Sequence, residues 1–328
     1  MGRYITRRLL QAMLLLFLLS IFLFLMLHLL PGGPQQVLFN PRLSKVARAA
    51  LAAKYGIDQP LPVQYLFYMR HLFQGDLTSF GTGQPVLSEI GDRLPYTLQL
   101  FAAALGLALV IALPLGVIAA ARQYSLTDYS VTVLSYFGIA MPVFFFALIL
   151  QKLFGVMLRP FFNTFGFTWP IFGLTAVDTT GFSPLDYITS RLVHLILPTV
   201  VLSLLFIAQW SRYLRSSMLD TVKQDYIRTA RAKGLSGRSV FFRHALVNAL
   251  IPFVTVVALD FAGFAGGAVI TETKFALPGI GKLFFDSLSL RDYPILLTML
   301  LFAAVVVILF NLIADLLYGV LDPRISYS

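Results

Sequence analysis

Long apolar runs alternate with short polar segments along the whole chain. Leu9 to Leu30 is 22 residues without a formal charge. As a helix that is long enough to cross a hydrocarbon core of about 30 Å. Leu94–Ala121, Tyr129–Gln151, Leu192–Ser211, Asn248–Thr271 and Pro294–Tyr318 repeat the pattern. Six membrane-spanning helices are predicted, with Pro142 as a kink in the third. A cleavable signal peptide has an apolar core of only about 7–15 residues and a small-residue cleavage site. The first run is longer and ends in His28-Leu-Leu-Pro31-Gly-Gly-Pro34, so it reads as an uncleaved span. Phe161–Val177 is uncharged, yet it carries Asn163, Thr164, Thr168 and Thr175 and breaks at Gly166 and Gly173. It reads as an outer loop with interfacial aromatics.

The polar segments have structure of their own. Between residues 31 and 94, Ser44 is an N-cap signal and Gly56 a stop, which predicts a short helix in SKVARAALAAKYG. Pro60, Pro62 and Gly75 bracket a second helix. VLSEIGDRL reads as a third. The segment carries several Lys/Arg, but loops longer than about 60 residues translocate largely regardless of charge. It is placed outside.

Composition agrees with a multi-span protein. The 328 residues are 58% hydrophobic and 12% charged, with a mean hydropathy of +0.81. Soluble domains run near 25% charged. Cysteine is absent, which excludes disulfides and thiolate metal sites. His28, His71, His194 and His244 are far apart and form no metal-ligand spacing. The net charge of +10 is explained by positive-inside topology and anionic membrane lipid, so no nucleic-acid partner is implied. Much of that charge lies in one segment, Arg212–Arg243, where eight Lys/Arg face two acids, Asp220 and Asp225. A short basic segment beside spans stays cytoplasmic. With six spans, both termini are then cytoplasmic too. Within the segment, Tyr226–Leu235 reads as a short helix with Gly234 at its C′ position.

DYIRTARAKGL followed by FFRHALVNALIP resembles the cytoplasmic loop of the membrane subunits of binding-protein-dependent ABC importers, closest to the dipeptide/oligopeptide permeases. The general pattern there is Glu-Ala-Ala, three residues, Gly, nine residues, Ile-x-Leu-Pro. Arg228-Thr229-Ala230, Gly234 and His244–Val247 occupy those places, with Ala230, Gly234 and Leu246 matching strictly. FALPGIGKLFFDSL, RDYP and the C-terminal LDPRI are similar to the same family, as is DQPLPVQY after the first span. The resemblance implies an all-α permease domain of the type I importer kind over residues 1–328, in a bacterial or archaeal plasma (inner) membrane. It implies four kinds of partner contact: a second homologous permease, two ATP-binding subunits, an external substrate-binding protein and membrane lipid. ATP and Mg would be bound by the ATPase partners, with no cofactor and no catalysis in this chain. Asp225, Tyr226, Arg228, Ala230, Arg231 and Gly234 would form the coupling helix that docks on an ATPase. Family members carry dipeptides, longer peptides, nickel complexes or sugars.

Asp260 is the other candidate. A carboxylate in mid-span costs about 2.5–3.5 kcal/mol on the insertion scale, so it faces a partner helix or a water-filled path. On a continuous helix Gly263 and Gly267 would share its face and line a translocation path with it. The alternatives are an internally bonded structural Asp, or a proton or cation site of an ATP-independent transporter or channel. Asp315, near the end of the last span, can snorkel to water. ALPGIGKL (residues 276–283) fails as a phosphate loop, because Ala276 and Leu283 stand where Gly and Ser/Thr are needed.

Overall fold

The computed structural model describes residues 2–29, 33, 44–166, 169–170, 172–173 and 183–321. Thirteen helices can be named along them. They are α1 (Gly2–Leu29), α2 (Lys45–Tyr55), α3 (Leu61–Gln74), α4 (Val86–Ala121), α5 (Leu126–Ala140), α6 (Val143–Lys152), α7 (Arg159–Asn163) and α8 (Pro184–Val222). Then come α9 (Asp225–Ala232), α10 (Gly237–Gly266), α11 (Val269–Lys274), α12 (Ile280–Leu290) and α13 (Tyr293–Leu321). Among the described residues, five helices are long and apolar enough to cross a membrane, or six if the bent α5–α6 pair is one span.

The frame is the parallel pair α4 and α8, the most extensive helix contact among the described residues, with Gln99 beside Arg191 near their starts and Gly116 beside Ser211 further along. At 36 and 39 residues they are about 54 and 58 Å long, so both project beyond a core of about 30 Å. They approach closely because Gly116 has no side chain. A Cβ there would lie 2.9 Å from the Ser211 carbonyl oxygen. Trp210, Leu214 and Met218 are fully buried in the same core.

Four expectations are corrected. VLSEIGDRL is no separate helix; it is the first part of α4, which runs through Pro95. Burial of Val86, Ile90 and Thr97 holds that part in place. The third span is not one kinked helix but two, turned by 99° at Met141-Pro142. Proline lacks an N–H and drives the preceding residue out of the helical region, and Met141 is extended at φ −75°, ψ 120°. The basic segment 212–243 is helical over most of its length: the end of α8, all of α9 and the start of α10. The fifth span stops being α-helical at Phe261, continues as a 3₁₀ turn over Ala262–Gly266 and breaks at Gly267.

Alternating helix directions give the bundle two distinct ends. One end carries a cap made by α2, α3 and the 75–85 turn, seated on the end of α1 and the start of α13. The two short helices form as the turn signals predict, with Gly56 at φ +57° and Gly75 at φ +73°. Ile57, Tyr68, Leu77 and Phe80 share a second core with Phe24, Leu27 and Leu296. Polar clips fix the seat. His28 Nε2 lies 3.1 Å from Gln64 Oε1, Tyr68 and Thr298 hydroxyls are 2.9 Å apart, and the buried Asp292 accepts from Ser79 Oγ and, at 2.8 Å, from Gly81 N–H. Burial raises the ionisation range of the Tyr68 phenol well above its usual value, against the partial offset of the Thr298 bond. The opposite end carries α9. There Arg8 pairs with Asp315 at 3.0 Å, so Asp315 has a protein partner rather than water alone.

Candidate coupling surface and polar path

α9 is a two-turn helix whose stop is built by Gly234. Gly234 N–H donates to Arg231 O at 3.0 Å and Leu235 N–H to Ala230 O at 3.4 Å, the paired closing bonds of a Schellman motif. The motif needs a left-handed residue, and Gly234 has φ +80°. Nothing lies within 4 Å of the place a Cβ would take, so the turn is sterically open to the outside. Ile227 and Ala230 point inward and belong to the main core, packed on the π turn Val240–Leu246 that opens α10. The outward face is Asp225, Arg228, Thr229, Arg231, Lys233 and Gly234. Arg228 and Asp225 make an exposed pair at 3.3 Å, and Tyr226 is 37% exposed. Of the six predicted docking residues, five are therefore available to a partner. Ala230 instead anchors the helix, because Ile227 and Ala230 are three residues apart and share the buried face.

Directly above α9, α8 is locked to its neighbours. Arg215 forks onto Asp128 at the start of α5, with Nε and Nη2 both donating, the latter at 2.7 Å. Asp128 is 3% exposed at its side chain and also accepts from Tyr124 N–H at 2.9 Å. Ser217 Oγ donates to Ala249 O of α10 at 2.9 Å. Ser135 and Ser211 hydroxyls meet at 3.0 Å between α5 and α8. These contacts were not legible in sequence. Asp128 and Arg215 are 87 residues apart, and each alone reads as an ordinary loop-end charge.

Asp260 is held inside the bundle. Its Oδ2 accepts the indole N–H of Trp210 at 2.7 Å, and Trp210 is fully buried against Phe206 and Phe253. Gly263 lies in the 3₁₀ turn with its open side near Phe101. Gly267 lies beyond the helix, at φ +70°, with its backbone against that of Gly281. The three do not form one helical stripe, because α10 ends between them. Gly267 belongs instead to a tight hairpin, α11–α12, organised by Glu272. This carboxylate is 1% exposed. It accepts from Thr97 Oγ1 at 2.8 Å, Lys282 N–H at 2.9 Å and Ala268 N–H at 3.3 Å. Thr97 Oγ1 in turn accepts Ile280 N–H at 2.8 Å. Glu272 was missed because it opens a polar connection, where an exposed acid is the ordinary reading. Gly267, Gly279 and Gly281 around it were the available signal. Among the described residues, no group of three or more His, Cys, Asp or Glu could hold a metal ion.

The family model for the binding-protein-dependent transport system inner membrane component matches residues 112–327. Its N-terminal counterpart matches residues 1–101. The chain belongs to this family. It is a multi-pass component of the plasma membrane and a subunit of a transport system. The oligopeptide transport system permease protein AppB of Bacillus subtilis (strain 168) is 42% identical over 332 residues, covering all of both chains. The dipeptide transport system permease protein DppB of Escherichia coli (strain K12) is 37% identical over 315 residues, 93% of each chain. The di/tripeptide transport system permease protein DppB of Pseudomonas aeruginosa (strain UCBPP-PA14) is 40% identical over 93% of each. Among solved structures, a chain of the MetNI methionine ABC transporter in inward-facing conformations superposes with a TM-score of 0.53 at 16% identity. It covers 73% of this chain and 99% of its own. That likeness shows the type I importer permease fold.

Proposed function

We propose that this chain is one permease subunit of an ATP-driven importer of di- or oligopeptides. The observation that carries the reading is end-to-end identity of 37–42% to relatives named as peptide permeases. A second, homologous permease completes the path, an external substrate-binding protein delivers the peptide at the cap end, and two ATP-binding subunits hydrolyse ATP at the α9 end. The sidedness follows from the concentration of Lys/Arg around α9.

The geometry supports a mechanical role for α9. Its outer face is charged and open, and its inner face is keyed into the bundle by Ile227 and Ala230. When the ATPases close, a push on α9 is transmitted to α10 through the π turn it sits on. It reaches α8 through the shared core and α5 through Arg215–Asp128. Packed elements move as bodies rather than deform, so the bundle would switch which end of the path is open. Asp260 and Gly263 are the polar path groups in this reading, while Gly267 supports the hairpin.

The test is gentle detergent extraction from the native membrane, identification of what stays bound, and uptake assays with labelled peptides, nickel complexes and sugars. Two ATP-binding subunits, a second permease and ATP-dependent peptide uptake are the expected outcome. A lone species with ATP-independent flux would overturn the ATP-driven reading, and saturable uptake of nickel or sugar alone would overturn the peptide reading.

A further inference from the structure

We infer that the groove between α5 and α8 is an oxyanion-binding site with Arg212 as its receptor. The groove has a volume of about 460 Å³ and is lined by Thr132, Tyr136, Gln209, Arg212, Arg215 and Ser216 among others. That size lies in the range of small-molecule sites. Its lining carries hydroxyls, an amide and two guanidinium groups.

The two arginines are not equivalent. Arg215 is neutralised by its fork onto Asp128. Arg212 Cζ lies over the Tyr136 ring, 4.3 Å from its centroid, and, among the described residues, Arg212 has no carboxylate within ion-pair distance. A guanidinium placed over an aromatic ring is held there by a cation–π contact and still has N–H donors for a planar or tetrahedral oxyanion. Tyr136, Thr132 and Ser216 supply hydroxyls around it. A half-buried cation without a counter-ion is costly in a partly desolvated groove, and an anionic ligand removes that cost.

Two sources have this chemistry, the C-terminal carboxylate of a peptide in transit and the phosphate of a membrane lipid. Assigning the carboxylate rests on the peptide reading above; the oxyanion site itself rests on the groove alone. Arg212 would then retain the trailing or leading carboxylate of the cargo near the α9 end, a positioning contact made inside the permease.

The experiment uses the whole transporter purified from its native membrane and reconstituted in liposomes of phosphatidylethanolamine and phosphatidylglycerol. A photoreactive benzoylphenylalanine replaces Ile139, which also lines the groove. Adducts are identified by mass spectrometry with a peptide added, either with a free C-terminus or as its amide, and with no peptide. Each is repeated in Arg212→Gln and Arg212→Lys, whose insertion is checked by immunoblot. A peptide adduct that falls about tenfold on amidation and in Arg212→Gln, and persists in Arg212→Lys, supports the site with cargo as source; the size follows from losing a charge-assisted hydrogen bond. A phospholipid adduct that falls in Arg212→Gln supports the site and overturns cargo as its source. Adducts indifferent to Arg212, absent, or formed with another protein chain overturn the site. Failure of the peptide reading shows separately, as absence of uptake for both peptide forms in the wild-type liposomes.

Discussion

At the scale of single residues, the paired polar groups that join helices matter more than the exposed charges. Asp128 is buried and Arg215 is about a quarter exposed. Breaking a buried pair from one side costs about 3–5 kcal/mol, because the other charge is left without a partner. Partial exposure of Arg215 lets water compensate, so Asp128→Ala should fall at the lower end, about 3 kcal/mol. Thermal unfolding of the purified protein in detergent reads this. Asp128→Ala with Arg215→Ala together should cost less than the two singles added, and simple additivity would show that the pair does not couple α5 to α8. Asp260 is a different case. Asp260→Asn keeps an acceptor for the Trp210 indole, so folding should hold within about 1 kcal/mol. A drop in peptide uptake with unchanged melting would then place Asp260 on the path; unchanged uptake would leave it a structural acceptor for Trp210.

At the scale of elements, glycine marks where the chain must turn. Gly234 ends α9 with open space around it, so the cost of a side chain there is only that of the left-handed backbone, about 1–2 kcal/mol. Gly234→Arg should therefore insert and fold while blocking what docks on α9. The check is normal membrane level with loss of ATP-dependent uptake, and normal uptake would remove Gly234 from the docking surface. Gly267→Ala differs in kind. Its Cβ would collide with the backbone of Gly281 inside the hairpin that Glu272 clasps. The expected outcome is loss of folded protein, read as a sharp fall in membrane level. One residue type thus has two consequences, set by what surrounds it.

At the scale of the molecule, the two ends of the bundle should lie on opposite sides of the membrane. The chain lacks cysteine, so single cysteines report sidedness without background. Arg70→Cys on the exposed side of α3 should react with an impermeant thiol reagent in intact cells. Lys233→Cys beside α9 should react only after permeabilisation. The reverse pattern would invert the orientation and detach α9 from any cytoplasmic ATPase.

Number and approximate position of the spans, the short cap helices and the site of α9 were legible from sequence, because each rests on local chemistry: apolar length against a fixed membrane thickness, and a stop glycine. The 99° turn at Pro142 was visible as a breaker but not in its extent, since a proline sets where a helix yields and packing sets how far. The inward face of Ala230, the Asp128–Arg215 fork, the Trp210 bond to Asp260 and the Glu272 clasp were decided only in three dimensions. Each joins residues far apart in the chain or turns on which face a short helix buries. Local pattern carries no record of distant partners, so a buried acid and an exposed one look alike until the helices are packed.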